Sequence, residues 1–272
     1  MKILIAAAAL LLPTLAAAES CKVEKPEELV LDLEGISTLV VEMGADTLNI
    51  SGADGADGVV RGRACASSDK RLELLSLKQE RDGDRLTLSL VREHRIITVS
   101  FGSDYAYHNV SVNVPASLAL ELNMGSGDAN IQQVASLKAD VGSGDLDARG
   151  IAGTLHLDLG SGDVVAHNIG ALQIDSVGSG DALVEGVAAD TQIGTVGSGD
   201  VTVRDAKGSV RIESLGSGDI TLLRIAGSVQ LERMGSGDLR VTDIDGDVVV
   251  NRSGSGEVRA KRVKGAVRTP GD

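Results

Sequence analysis

Residues 197–234 read GSGDVTVRDAKGSVRIESL and then GSGDITLLRIAGSVQLERM, two 19-residue units that match almost position for position. Apolar residues fall at Val201, Val203, Ala206, Val210, Ile212 and Leu215 in the first unit. In the second they fall at Ile220, Leu222, Ile225, Val229, Leu231 and Met234. Alternation inside each run is the two-residue period of a strand with one buried face. A second turn, marked by Gly208, Gly227, Gly246 and Gly265, separates the runs. Each unit is two short strands and two corners, too brief to bury its own apolar face, so units must stack to share a core.

Working outward, Gly-Ser-Gly-Asp begins at 125, 142, 160, 178, 197, 216 and 235, with a Glu257 variant at 254. The spacings are 17, 18, 18, 19, 19, 19 and 19 residues. Stacking at the inter-strand distance of about 4.8 Å makes eight coils about 38 Å long. The composition agrees. A coil this short encloses a thin interior that Val, Ile, Leu and Ala fill, and the three aromatics, Phe101, Tyr105 and Tyr107, all lie upstream of the repeats. The pattern predicts an all-β fold, a single-stranded parallel β-helix of 17–19-residue coils with an N-terminal β cap. An antiparallel meander would leave one face bare, and a small propeller would need larger wedge residues between its blades.

Before the repeats, Met43-Gly44-Ala45-Asp46 reads as the same corner with one residue lost. Arg71–Glu80 and Arg85–Arg92 flank Asp82-Gly83, a hairpin signal. Val110, Val112 and Val114 mark a strand stopped by Pro115. This region is expected to cap an otherwise open first coil. Residues 251–272 hold six basic and two acidic residues, and charge together with Pro270 discourages edge pairing there.

The N-terminus sets the compartment. Met1-Lys2, the apolar run Ile3–Leu12 and the tract Ala16-Ala17-Ala18 form a signal peptide cleaved after Ala18. Glu19 occupies a place that a lipobox before Cys21 needs for a small residue, so no lipid anchor is expected. The chain then divides into residues 1–18 (signal peptide), 19–124 (β region and cap) and 125–272 (repeat β-helix with a basic last coil). Cys21 and Cys65 are the only thiols, and in an exported chain they are expected to pair. The net charge of −13, or −14 without Lys2, repels phosphate backbones and excludes nucleic acid as a partner. No later run reaches the roughly 20 apolar residues of a membrane span.

An alternating strand ending at Val114-Pro115, a further strand and serial Gly-Ser-Gly-Asp corners together resemble a bacterial family of exported putative adhesins with β-strand repeats, similar to head GIN domain proteins. The likeness covers about residues 29–268. It implies a single-stranded parallel β-helix in the cell envelope and brings no set of functional residues with it.

The sharpest candidate site is the line of corner acids Asp128, Asp145, Asp163, Asp181, Asp200, Asp219, Asp238 and Glu257, one per coil, beside the serines from Ser126 to Ser255. Carboxylates about 4.8 Å apart repel by roughly 0.9 kcal/mol even in water, so something must offset them. Ca²⁺ between coils is one answer. The favoured one is that each Asp accepts N–H bonds from its own turn while Gly supplies a positive φ. The Gly-Gly-x-Gly-x-Asp motif of the Ca²⁺ β-roll is absent.

Coil lengths leave no long loops to wall a catalytic groove. His94, His108, His156 and His167 are scattered, with His156 and His167 on different faces. No nucleophile-elbow, zinc-protease or phosphate-loop motif occurs. The expected function is a non-enzymatic, cofactor-free interaction or scaffold module of the bacterial envelope, periplasmic or at the cell surface. Its partner would be an envelope polymer, a surface protein or a second copy. A divalent-cation-dependent structural solenoid is the alternative, and a polysaccharide-active enzyme the weaker one.

Overall fold

The computed structural model describes residues 21–93 and 104–270. The expected signal peptide at residues 1–18, Phe101 and His94 lie outside the described residues. The chain forms a β-solenoid of about eight turns. Ahead of the repeats come β1 (Val23–Val30), β2 (Thr38–Met43), β3 (Thr47–Gly52), β4 (Val59–Ala66), α1 (Asp69–Leu72), β5 (Leu75–Asp82), β6 (Arg85–Arg92) and β7 (Ala106–Val114). The regular coils open with β8 (Ala119–Met124), β9 (Asp128–Gln132), β10 (Ser136–Val141), β11 (Leu146–Leu159) and β12 (Val164–Val177). Later coils alternate short strands such as Val201–Ala206 and Val210–Leu215.

Coil-to-coil pairing is parallel throughout the repeats, which excludes the hairpin meander. Register puts Leu146, Val164, Ala182, Val201, Ile220 and Leu239 in one inward column, each 2% exposed or less. Full burial of one Val, Leu or Ile side chain stabilises by about 1.5–3 kcal/mol. The inward columns merge into one continuous core along the axis.

The shorter coils differ from the 19-residue unit. β11 and β12 run for 14 residues straight through the second corner, and the register shifts between them at Ile151/Thr154 and Leu157/Asp158 cancel, so these two coils of equal length end in phase. The stretch expected as strand from Arg71 instead begins with α1, and the hairpin partner starts at Leu75.

At the N-terminal end, spatial order departs from chain order. β2 lies between β6 and β8, and β3 lies between β7 and β9, so the first coil in sequence is the second in space. β1, β4 and β5 close that end by antiparallel pairing. Lys25 Nζ donates to the Leu75 carbonyl at 2.6 Å and Gln79 Nε2 to the Val30 carbonyl at 2.8 Å, fastening β1 to β5. Cys21 and Cys65 form the expected disulfide, with Cα atoms 5.5 Å apart, tying the residues before β1 to β4.

The corner at Gly44 has lost no residue. Met43 pairs with Met124 and Thr47 with Asp128, so Asp46 stands where the repeats carry the second glycine. Asp46 is buried; its carboxylate accepts the Gly44 N–H at 2.9 Å and the His108 N–H at 2.8 Å, joining the corner to β7.

Candidate functional site

The first corner owes its sequence to close approach. The second glycine of each corner sits against the coil before it. A Cβ on Gly162 would overlap the carbonyl oxygen of Gly144, and Gly180, Gly199, Gly218, Gly237 and Gly256 repeat that overlap. No glycine of these corners has a positive φ. The left-handed conformation falls in the second corner, at Asp205, Arg224, Asp243 and Arg262, with φ between 52° and 60°. The expectation that corner glycine supplies positive φ is therefore corrected: it supplies room.

The acids Asp128, Asp145, Asp163, Asp181, Asp200, Asp219, Asp238 and Glu257 stand on successive coils, exposed or half-buried. The backbone N–H bonds that they accept run between coils, not within one. Asp145 Oδ1 accepts the Asp163 N–H at 3.3 Å, Asp163 that of Asp181 at 3.2 Å, and Asp181 that of Asp200 at 3.0 Å. Asp200 accepts from Asp219 at 2.8 Å, Asp219 from Asp238 at 2.9 Å, and Asp238 from Glu257 at 2.9 Å. Each bond sets a partly positive backbone N–H against a carboxylate of the neighbouring coil, which offsets part of the repulsion along the column.

Arginine supplies the rest at the C-terminal end. Arg240 bridges Asp219 at 2.6 Å and Asp238 at 2.8 Å, and Arg259 holds Glu257. The Arg240 guanidinium, helped by the Asp238 N–H, holds the Asp219 carboxyl below its ordinary 3.8. Among the described residues, no group of three or more His, Cys, Asp or Glu side chains converges as a metal cluster.

A second side-chain ladder on the opposite corner escaped the sequence reading. Asp190 Oδ1 accepts the Ser209 N–H at 2.8 Å, and Ser209 Oγ that of Ser228 at 3.2 Å. Ser228 Oγ then accepts from Asp247 at 3.1 Å and Asp247 Oδ1 from Ala266 at 2.8 Å. The signal was a column of Asp or Ser just after the second turn, visible once the units are written one beneath another. The basic last coil also has local partners: Arg262 on Asp243 at 2.5 Å, Lys264 on Asp245 at 2.8 Å and Arg268 on Asp247 at 3.4 Å.

The described histidines do not meet. His156 pairs with Asp175 on the face leading into the first corner, and His167 with Glu185 on the other face at 3.4 Å. His108 is fully buried under the cap, with Nδ1 2.7 Å from Glu27 Oε2 and Nε2 3.2 Å from the Val91 carbonyl, pinning β1 over β6 and β7. A shallow, open depression beside the cap is lined by Glu42, Met43, Ser89, Leu90 and Met124; another crosses the second corners at Gly170 and Gly186. In the first, Ser89 Oγ donates to Glu42 Oε2 at 3.0 Å, and no histidine lines either depression.

A parallel β-solenoid with hydrogen-bonded acid corners, one sealed end and two open sheet faces is the class of protein these features define. The chain belongs to the Toastrack DUF4097 family, a domain of unknown function whose model matches residues 36–232. Among curated proteins none matches. Of solved structures, a putative lipid binding protein from Parabacteroides distasonis ATCC 8503 is 18% identical, with a TM-score of 0.56 over 90% of this chain and 97% of its own. A putative adhesin from the same organism is 13% identical, with a TM-score of 0.52 over 87% and 96%. At such identity these likenesses establish the fold. No helix among the described residues is long and apolar enough to cross a membrane.

Proposed function

We propose that the protein is an exported, non-enzymatic interaction or scaffold module of the bacterial cell envelope, periplasmic or at the cell surface. The observation that carries this reading is the surface itself. Coils of near-constant length present two long sheet faces of outward polar side chains, with open depressions in place of a walled groove. Such faces suit a polymer, a protein surface or a second copy better than a small substrate, which needs a concave pocket. The signal peptide at residues 1–18 and the Cys21–Cys65 disulfide support an oxidising compartment outside the cytoplasm. Of the two solved structures that share this fold, one is a putative adhesin and one a putative lipid binding protein, which is in keeping with a binding role.

The corner acids serve in this reading as a structural ladder and not as a Ca²⁺ site. One oxygen of each carboxylate from Asp145 to Asp238 is already engaged by a backbone N–H of the next coil. The test is saturable retention of purified residues 19–272 on native envelope fractions, run with Ca²⁺ and with EDTA. Retention in both conditions is expected. No retention in either sinks the interaction module, and retention or a melting temperature abolished by EDTA would restore the cation-dependent alternative.

A further inference from the structure

On the face that leads into the first corner, one column of outward side chains changes sign along the solenoid axis. Register aligns Asp140 with Asp158, Asp158 with Ser176, Ser176 with Thr195, Thr195 with Ser214 and Ser214 with Arg233. The Met234–Ser253 bridge carries Arg233 on to Arg252. About Thr195 this column is self-complementary. Ser176 and Ser214 lie one coil to either side, Asp158 and Arg233 two coils, and Asp140 and Arg252 three.

We propose that this face pairs with the same face of a second copy, the two solenoids antiparallel about a two-fold axis through Thr195. Asp158 then meets the second copy's Arg233, Asp140 meets its Arg252, and each contact occurs twice, as an isologous interface requires. The proposal rests on the reading of the solenoid as an interaction module and names one partner for it.

The ion pairing of the chain supports this choice. Arg149, Arg204, Arg224, Arg240, Arg259, Arg262 and Arg268 of the solenoid each reach a carboxylate of their own chain. Arg233 and Arg252 do not, nor does Arg211 on the neighbouring column of the same face, among the described residues. All three are exposed. Asp140 and Asp158 are exposed and likewise take no cation, the Ser176 hydroxyl being the donor to Asp158. Asp140 stacks on Asp158 and Arg233 on Arg252, so like charges adjoin at both ends of the column. A two-fold partner places an opposite charge against every one of them.

Size is adequate but modest. Seven coils at about 4.8 Å by a strand of about 17–20 Å give roughly 600 Å² per copy. About 1,200 Å² in total is the lower end for a specific interface. The dimer is therefore weak and salt-sensitive.

Sedimentation of residues 19–272, from low micromolar to about 0.5 mM at low ionic strength, should show reversible dimerisation that weakens at least tenfold in about 0.5 M salt. Asp158→Arg and Arg233→Asp, both at exposed positions, should each be folded by circular dichroism and monomeric alone. Each variant sets two like-charge contacts against itself. Mixed in equal amounts they should recover the dimer, because both contacts between positions 158 and 233 in the heterodimer then join opposite charges. A monomeric wild type at the highest concentration would overturn the proposal. So would single variants that dimerise like the wild type, or a mixture without recovery. Envelope retention is read in a separate assay, so failure here leaves the interaction module standing, and the reverse holds too.

Discussion

Gly199→Ala is the perturbation that probes the stacked corner most sharply. A Cβ at residue 199 would overlap the carbonyl oxygen of Gly180 and crowd its carbonyl carbon and that of Ser179. These are backbone atoms, so no rotamer change relieves the overlap and the coils themselves must move apart. One added methyl group in a well-packed interior costs about 1–3 kcal/mol. An obstruction made of backbone puts this site at the top of that range. For a chain of this size each kcal/mol shifts Tm by about 2–4 °C, so thermal melting by circular dichroism should show a fall of roughly 6–12 °C. Ser198→Ala, one residue away and exposed, should stay within about 0.5 kcal/mol of wild type. Hydrogen exchange should localise the loss to Val201–Ala206 and Val210–Leu215, because solenoid coils depend on their neighbours. If both variants melt together, within a degree of wild type, the coils do not close on one another at this glycine and the corner argument fails.

Other outcomes follow from single features. Thr191 is 1% exposed in a column otherwise filled by residues such as Leu172 and Val210, and its hydroxyl has no partner among the described residues. Thr191→Val should therefore stabilise by about 1–2 kcal/mol in chemical denaturation; a loss would mean the hydroxyl is satisfied. Reducing the Cys21–Cys65 bridge, which closes a 44-residue separation, should cost up to about 4 kcal/mol on the chain-entropy model and expose the cap to proteolysis before the repeats. Asp205, Asp219 and Asp243 are held below their ordinary 3.8 by Arg224, Arg240 and Arg262. Their stabilisation is complete above about pH 4 and disappears as pH falls through the lowered values, so Tm should drop below pH 4. The drop should be smaller in high salt, since these pairs are largely exposed.

The repeats were legible because each unit states its own phase. The apolar columns and the Gly-Ser-Gly-Asp corners fix which residues turn inward, and stacking follows from the shortness of the unit. The N-terminal order was not legible. Alternation at Leu39, Val41 and Met43 fits a coil before β8 equally well with or without β6 and β7 outside it, and only long-range pairing decides. The Gly44 corner misled because Asp46 replaces a glycine while adopting a buried, hydrogen-bonded role. The acid ladder was visible as a column, but the direction of its bonds was not, since the N–H accepted by each carboxylate belongs to another turn. Asp158, Thr195 and Arg233 drew no attention because their meaning lies in the order of one column along the axis, not in any local motif.

The claim beneath all of this is that the corners stack one above another at a constant rise. Nitroxide labels on exposed corner serines test it, with the two native cysteines locked in their disulfide. Ser126 with Ser217 spans five coil steps and Ser126 with Ser255 spans seven, so pulsed electron–electron distances should centre near about 24 Å and about 34 Å, rising by about 4.8 Å per step. Distances that fail to grow with coil number would contradict the parallel solenoid and every reading built on its faces.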